Sequence, residues 1–161
     1  MIRNISQDDA RVICDIYNYY ILNSISTFEL EPVSPEEIRN RIYRITQKYP
    51  WLVYEEDSEV IGYAYADEWK TRKDYKYSVE STIYLKDGYS GKGIGSTLYK
   101  FLLNEIKKTG IHAVIGGISL PNEASIALHE KLGFKEIACF KEVGYKFDKW
   151  IDVGYWELII K

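Results

Sequence analysis

The sequence is poor in the residues from which metal centres and disulfide scaffolds are built, with two cysteines and two histidines among 161 residues. Cys14 and Cys139 match no metal-ligand spacing, so no metal is expected. A pair of lone thiols suits a reducing compartment, where both are expected in apolar surroundings as small buried hydrophobes. Charge of one sign is also lacking. Lys plus Arg number 21 against 24 Asp plus Glu, for a formal charge of −3, which leaves no basic footprint for nucleic acid. There is no apolar run of the roughly eighteen residues that a bilayer requires. The segment Met1–Asp9 goes straight to charge without an apolar signal core, so no membrane contact is expected and a soluble cytoplasmic protein is. Linkers are missing as well: no stretch rich in Gly, Ser or Pro, no repeat and no low-complexity run divides the chain. Residues 1–161 therefore read as a single domain, long enough to bury roughly 70% of the surface its unfolded form exposes. What the chain has in quantity is tyrosine, fifteen of them, an amphipathic residue suited to lining sites and interfaces.

Periodicity and punctuation divide this domain into elements. Ile2–Ile5 reads as a short strand. Ser6 then opens a helix, with Asp8 and Asp9 at the positive end of its dipole and Val12, Ile13, Ile16, Tyr17 and Tyr20 on one face. Ser34-Pro35-Glu36-Glu37 is a stronger start, with Ser as cap, proline in the first turn and Glu three residues after the cap; Ile38, Ile42 and Ile45 form its buried stripe. Trp51–Glu56 and Val60–Asp67 read as a hairpin across Asp57-Ser58-Glu59, and Val79–Leu85 as a further strand. A turn from Gly88 to Gly95 leads into a helix carrying Ile94, Leu98, Phe101, Leu102 and Ile106, stopped at Lys107, Lys108 and Gly110. Ala113–Ile118 is a strand, Asn122–Leu132 a short helix ending at Gly133, and Phe134–Val143 with Trp150–Ile160 a final strand pair. The resulting order, β-α-α-β-β-β-α-β-α-β-β, predicts an α/β domain with a mixed sheet and helices on its faces.

Three constellations can carry chemistry. In Ser90-Gly91-Lys92-Gly93-Ile94-Gly95-Ser96, between a strand and a helix, glycines let backbone approach a ligand and the helix start offers free N–H groups to a phosphate or pyrophosphate. The Gly-Lys-[Ser/Thr] ending of a P-loop is missing, and so is the last glycine of the dinucleotide fingerprint; a tight turn with a helix cap explains the glycines equally well. In Asn122-x-x-Ser125-x-x-x-His129 the offsets place three polar side chains near one helix face. Asn122 is also simply the cap after Pro121, and Ser125 can cap or face solvent. A lone helical histidine such as His129 is more often structural than catalytic. The third is Glu80, in Val79-Glu80-Ser81-Thr82-Ile83-Tyr84-Leu85. A carboxylate within a strand is costly unless solvated, paired or used, and partial burial turns it into a general base.

These features occur together, in this order, in the GCN5-related N-acetyltransferase (GNAT) superfamily, and the chain resembles the phosphinothricin and methionine sulfone–sulfoximine acetyltransferase group almost end to end. The resemblance runs through Thr27-Phe28-Glu29-Leu30-Glu31-Pro32, Tyr49-Pro50-Trp51-Leu52-Val53 and Gly62-Tyr63-Ala64-Tyr65-Ala66. It continues in Trp69-Lys70-x-Arg72-x-x-Tyr75, the strand around Glu80, Leu128-His129-Glu130-Lys131-Leu132-Gly133-Phe134, Phe140-Lys141-Glu142-Val143-Gly144-Tyr145-Lys146-Phe147 and Trp150-x-Asp152-Val153-Gly154. It implies a GNAT fold, a mixed and mostly antiparallel sheet of about six to seven strands flanked by about four helices. It also implies acetyl-CoA as co-substrate, an amino group as acceptor and a homodimer, for which Tyr145–Trp156 is the aromatic candidate segment.

By this resemblance the family's pyrophosphate loop maps onto Ser90, Gly91, Lys92, Gly93, Ile94, Gly95 and Ser96, departing at Ser90 where the family has a long polar residue. Ile83, Tyr84 and Leu85 take the strand position that holds the pantetheine arm, and Asn122 and Ser125 contact the cofactor. His129 stands where many superfamily members have a tyrosine acid, and the phosphinothricin-type members share the histidine. Its role is left open between acid, water holder and cofactor contact. Glu80 is the expected base, directly or through a water, and a strand N–H near Ile83–Leu85 the oxyanion donor. The acceptors implied are phosphinothricin, methionine sulfone and methionine sulfoximine. Arg72 is the candidate anion clamp, Phe28 and Tyr75 candidate walls, and Lys73 and Asp74 accompany them; a solvated loop and ordinary packing are the plainer readings. A protein N-terminus, a polyamine or an aminoglycoside is the rival acceptor, kept open by Glu29, Glu31, Glu55 and Glu56. A catalytically silent acyl-CoA-binding module is the rival outside enzymes.

Overall fold

Cap chemistry decides where the helices begin. In the computed structural model, which describes Met1–Lys161, the Ser34 hydroxyl accepts the Glu37 N–H at 3.1 Å and Pro35 occupies the first turn. The Asn122 side chain accepts the Ser125 N–H at 3.1 Å in the same way. Near the N-terminus the Asp9 carboxylate turns back onto the Ser6 N–H (2.8 Å) and takes two hydrogen bonds from the Arg3 guanidinium (2.8 and 2.9 Å). That double engagement tightens the first turn, Gln7–Asp9, into a 3-10 turn, so the α-helix starts at Ala10 instead of directly after Ser6.

The elements are β1 (Ile2–Asn4), α1 (Ala10–Asn23), α2 (Pro35–Thr46), β2 (Trp51–Glu56), β3 (Glu59–Glu68), β4 (Ser78–Leu85), α3 (Ile94–Lys107), β5 (Ala113–Ser119), α4 (Glu123–Lys131), β6 (Lys135–Lys146) and β7 (Lys149–Ile159). One seven-stranded sheet runs in the order β1-β2-β3-β4-β5-β7-β6. Its pairs are antiparallel except β4 with β5, which lie parallel. Alternation along the strands feeds two cores. Trp51, Val53 and Tyr63 pack with Ile13, Ile16, Ile38 and Ile42 of α1 and α2 on one face. Leu52, Ala64, Ala66 and Val79 pack with Leu98, Tyr99, Leu102 and Ile106 of α3 on the other.

Two expectations change. Cys14 is buried as expected, but Cys139 is exposed, because β6 is the edge strand and most of its residues face solvent. The acidic residues thought to await a polycation are partly engaged: Arg41 grips Glu29 through two bonds (2.7 and 2.9 Å), and Arg3 Nε holds Glu55 at 2.9 Å. No helix is long and apolar enough to cross a membrane.

The Arg3 guanidinium holds the Asp9 carboxyl below its ordinary range. A carboxylate with a depressed folded pKa stabilises the fold above its unfolded pKa, and that contribution disappears as pH falls through the folded value. Asp9→Asn is therefore expected to lose about 1–2 kcal/mol at neutral pH, a figure reduced for the partial exposure of Arg3. Urea titrations should find the gap from the parent chain closing as the medium is acidified below the carboxylate range.

Candidate active site

β4 and β5 are joined only at Ser78–Ala113, Val79–Val114 and Glu80–Ile115. Past that point β4 keeps β3 as its neighbour and β5 keeps β7, so the sheet splits between them. The split forms a cleft of about 790 Å³ whose walls include Ile83, Tyr84 and Leu85 from β4, Gly117 and Ser119 from β5, and Asn122, Ser125 and His129 at α4. Ser90, Gly91, Gly93, Gly95 and Ser96 close one end. Gly91 and Gly93 have φ of 78° and 82°, left-handed conformations in which a side chain would be strained, and they deliver the chain into the 14-residue α3 with its first N–H groups free. A cradle of this kind, at the positive end of a helix, fits a phosphate or pyrophosphate group.

Two residues of the expected phosphate loop do not line the cleft with their side chains. Lys92 lies over the Tyr89 ring at 4.7 Å, and Ile94 turns into the interior. Only their backbone is available to the loop. Sequence reasoning also missed several lining residues: Tyr20, Ser24, Ile25 and Ser26 from α1 and the segment after it, and Lys131 from α4. No local motif marks the first four, because they reach the cleft only through the packing of α1 beside β4, whereas Lys131 lies in the Leu128–Phe134 motif and ends α4 just beyond His129.

Glu80 and His129 approach the cleft from opposite faces of the sheet. Glu80 lies opposite Asp67 of β3, and Thr82 opposite Tyr65, on the face covered by α1 and α2. These four residues and Glu68 line a second, smaller cavity of about 220 Å³. Glu80 and Thr82 border both cavities and so stand in the wall between them. Burial raises the Glu80 pKa, the nearby Asp67 charge raises it further, and Lys70 opposes both.

His129, 4% exposed, lies on the α3 face. Its Nδ1 is 2.7 Å from the Ser125 carbonyl, which can only accept, so Nδ1 carries the proton. Nε2 then accepts from the Tyr99 hydroxyl at 3.1 Å, and Tyr99 is in turn bonded to the Ser81 hydroxyl. Burial lowers the His129 pKa. Both nitrogens of the imidazole are engaged within the protein, which makes it a holder of α4 and Tyr99 more readily than a proton donor into the cleft.

Gly116 is what admits His129 so close to β5, and its neighbour Gly117 makes room for the Tyr155 ring. A Cβ on Gly116 would lie 2.6 Å from His129 Nε2, and one on Gly117 would lie 3.2 Å from the Tyr155 ring and 3.5 Å from Glu80 Oε1. Glycine inside a strand marks just such a close approach, and this was the signal available in the sequence.

The expected acceptor residues are less centrally placed. Arg72, Lys73, Asp74 and Tyr75 occupy an exposed segment around a 3-10 turn and line neither cavity. Trp69, just before them, packs edge-on against Tyr155, which borders Gly117 beside Glu80. Phe28 also lies outside both linings, with its ring seated on Gly144.

The chain matches the acetyltransferase (GNAT) domain family over residues 2–154. It belongs to that family. It is 41% identical to a phosphinothricin N-acetyltransferase of Streptomyces viridochromogenes, over 97% of this chain and 85% of that protein. It is 35% identical to an L-methionine sulfoximine/L-methionine sulfone acetyltransferase of Salmonella typhimurium, over 98% and 92%. The solved structure of yncA from Salmonella typhimurium, with its cofactor acetyl-CoA, superposes with a TM-score of 0.98 at 32% identity, covering all of this chain and 94% of that one. This GNAT protein is an N-acetyltransferase with the family's seven-stranded mixed sheet and four helices.

If close approach is what requires glycine at 116, Gly116→Ala should cost about 1–3 kcal/mol through displacement of the imidazole. Much of that penalty should vanish when His129→Ala is already present. A double-mutant cycle by denaturation measures the coupling, and simple additivity of the two penalties would contradict this origin.

Proposed function

We propose that this acetyltransferase carries the acetyl group of acetyl-CoA to the amino group of a small amino-acid-like acceptor, of the phosphinothricin, methionine sulfone or methionine sulfoximine type, by direct transfer. The observation that carries the reading is the position of Glu80 between a long cleft ending in a phosphate cradle and a small acidic cavity. The long cleft suits acetyl-CoA, with the pyrophosphate on Gly91–Ser96, the pantetheine arm along Ile83–Leu85, and Asn122 and Ser125 beside it. Ser90 and the backbone of Lys92 and Ile94 complete that loop. The bound co-substrate supplies an activated thioester carbonyl and a leaving thiolate.

Glu80 takes the proton that the acceptor's ammonium must lose before its nitrogen can attack, directly or through one water. A β4 N–H in Ile83–Leu85 stabilises the oxyanion that forms as the N–C bond is made; the C–S bond then breaks as the carbonyl re-forms, and the second proton of the nitrogen passes to the departing thiolate, leaving the amide and the free thiol. A thiol with a pKa near ~8.5 leaves a thiolate that needs little acid assistance, which suits a His129 already committed to Ser125 and Tyr99. For the acceptor's own anionic group we assign Arg72, an exposed guanidinium three residues beyond Trp69, with Phe28 and Tyr75 as flanking aromatics; Lys73 and Asp74 gain no role from the geometry. The proposal extends to a homodimer, supported by the exposed apolar residues Phe140, Val143, Tyr145 and Trp150 of β6 and β7. It extends also to the cytoplasm, which suits the free thiols of Cys14 and Cys139.

Thiol release from acetyl-CoA, followed over a panel of amines, tests the reading. Turnover is expected on phosphinothricin, methionine sulfone and methionine sulfoximine. Turnover confined to spermidine, an aminoglycoside or a peptide would overturn the acceptor class, and acetyl-CoA binding without turnover on a broad amine screen would favour a silent binding module. With the working acceptor, Glu80→Gln should lower kcat by about 100-fold or more, and His129→Ala by less.

A further inference from the structure

Lys146, at the end of β6, is 3% exposed although it is a lysine. Its ammonium takes part in none of the ion pairs; it donates instead to two backbone carbonyls, Ser24 O at 2.6 Å and Thr27 O at 2.8 Å. A buried ammonium is costly unless such bonds satisfy it. Ser24 caps the C-terminal end of α1, where unpaired carbonyls and the negative end of the helix dipole favour a cation. The ammonium also lies over the Phe147 ring, 5.1 Å from its centroid, and with no carboxylate beside it burial lowers its pKa.

Two residues earlier on the same face of β6, Gly144 makes room for Phe28: a Cβ there would lie 2.3 Å from the ring. From the other side of the cleft, the Tyr84 hydroxyl of β4 donates to Ser26 O at 3.0 Å. The segment Ser24–Phe28 is thus an arch. It is hydrogen-bonded to β4 at Tyr84 and to β6 at Lys146, it packs on Gly144 through Phe28, and its residues Ser24, Ile25 and Ser26 line the cleft. Tyr84 shares the α1 and α2 face with Glu80, whereas the helix start that forms the phosphate cradle belongs to α3 on the opposite face.

We propose that Lys146 is a positioning residue for the acceptor: it fixes the Ser24–Phe28 arch over the mouth through which the amine reaches Glu80, and Gly144 seats the Phe28 end of that arch. This rests on the reading of the cleft as that of an amine acetyltransferase. Lys146→Met keeps the aliphatic stem and removes both hydrogen bonds. It is expected to raise the acceptor KM about tenfold while kcat and the acetyl-CoA KM change less than about threefold, because a floating arch adds an ordering cost to acceptor binding alone. Lys146→Arg, which keeps charge and donors, should recover most of the loss. Gly144→Ala, whose Cβ would displace the Phe28 ring and the end of the arch with it, should likewise raise the acceptor KM, and it stands in as the test if Lys146→Met does not fold.

Hydrogen exchange provides a readout independent of turnover: amides of Ser24–Phe28 should exchange faster in Lys146→Met, with those of α3 and β5 unchanged. Parallel rises in both KM values, an unchanged acceptor KM, or unchanged exchange in the arch would overturn the proposal. A parent chain that turns over none of the amines, yet shows the exchange effect, would sink the transferase reading and with it the acceptor role, while leaving the clamp intact.

Discussion

Three register pairs hold β4 to β5, and past Glu80 and Ile115 the two strands part while each keeps its outer neighbour. A sheet interior that opens in this way presents backbone donors and acceptors along both lips, in a place where such groups are normally paired. The open lips give the site a strand backbone able to bond an extended ligand arm, a passage between the two faces of the sheet, and positions from which side chains of either face reach the same gap. The glycine turn before α3, the cap of α4 and the arch after α1 all border this one opening.

The passage separates labour by face. On the α1 and α2 side stand Glu80, Asp67, Tyr65 and the arch held by Lys146, where burial and then the Asp67 charge raise the Glu80 pKa. On the α3 side stand the phosphate cradle and the Ser81–Tyr99–His129 chain. That chain ends on the Ser125 carbonyl, which fixes the tautomer of the imidazole and binds α4 to the sheet. Gly116 and Gly117, adjacent on β5, face opposite ways and make room for one ring each: His129 on one face, Tyr155 beside Glu80 on the other. The engagement of Glu29 with Arg41 and of Glu55 with Arg3 removes much of the case for a polycationic acceptor.

Much of this architecture is written locally. The caps at Ser34 and Asn122, the helical stripes of α2 and α3, the hairpin of β2 and β3 and the glycine turn each depend on residues a few positions apart, and each stands where the sequence places it, except that Phe101 of the α3 stripe is exposed and Tyr99 and Leu103 are buried with the rest. The motifs also single out Glu80 and His129, though not that they approach from opposite faces, since which strands part is decided by pairing across the sheet. The remaining features are long-range. Lys146 meets Ser24 and Thr27 more than a hundred residues away, and Phe28 finds its seat on Gly144. The exposure of Cys139 follows from β6 being an edge, and that of Arg72–Tyr75 from a loop lying outside both cavities. No periodicity along the chain encodes those outcomes.

The proposed role of Glu80 as the base at the divide is measured most directly by the dependence of kcat/KM on pH. A carboxylate whose pKa is raised above its ordinary 4.5 is ionised only above that raised value, so activity should climb with pH through an inflection higher than that of a solvated glutamate. The account predicts that this limb persists in His129→Ala and disappears in Glu80→Gln. A Glu80→Gln variant that keeps the same limb, with the parent's activity above it, would contradict the assignment.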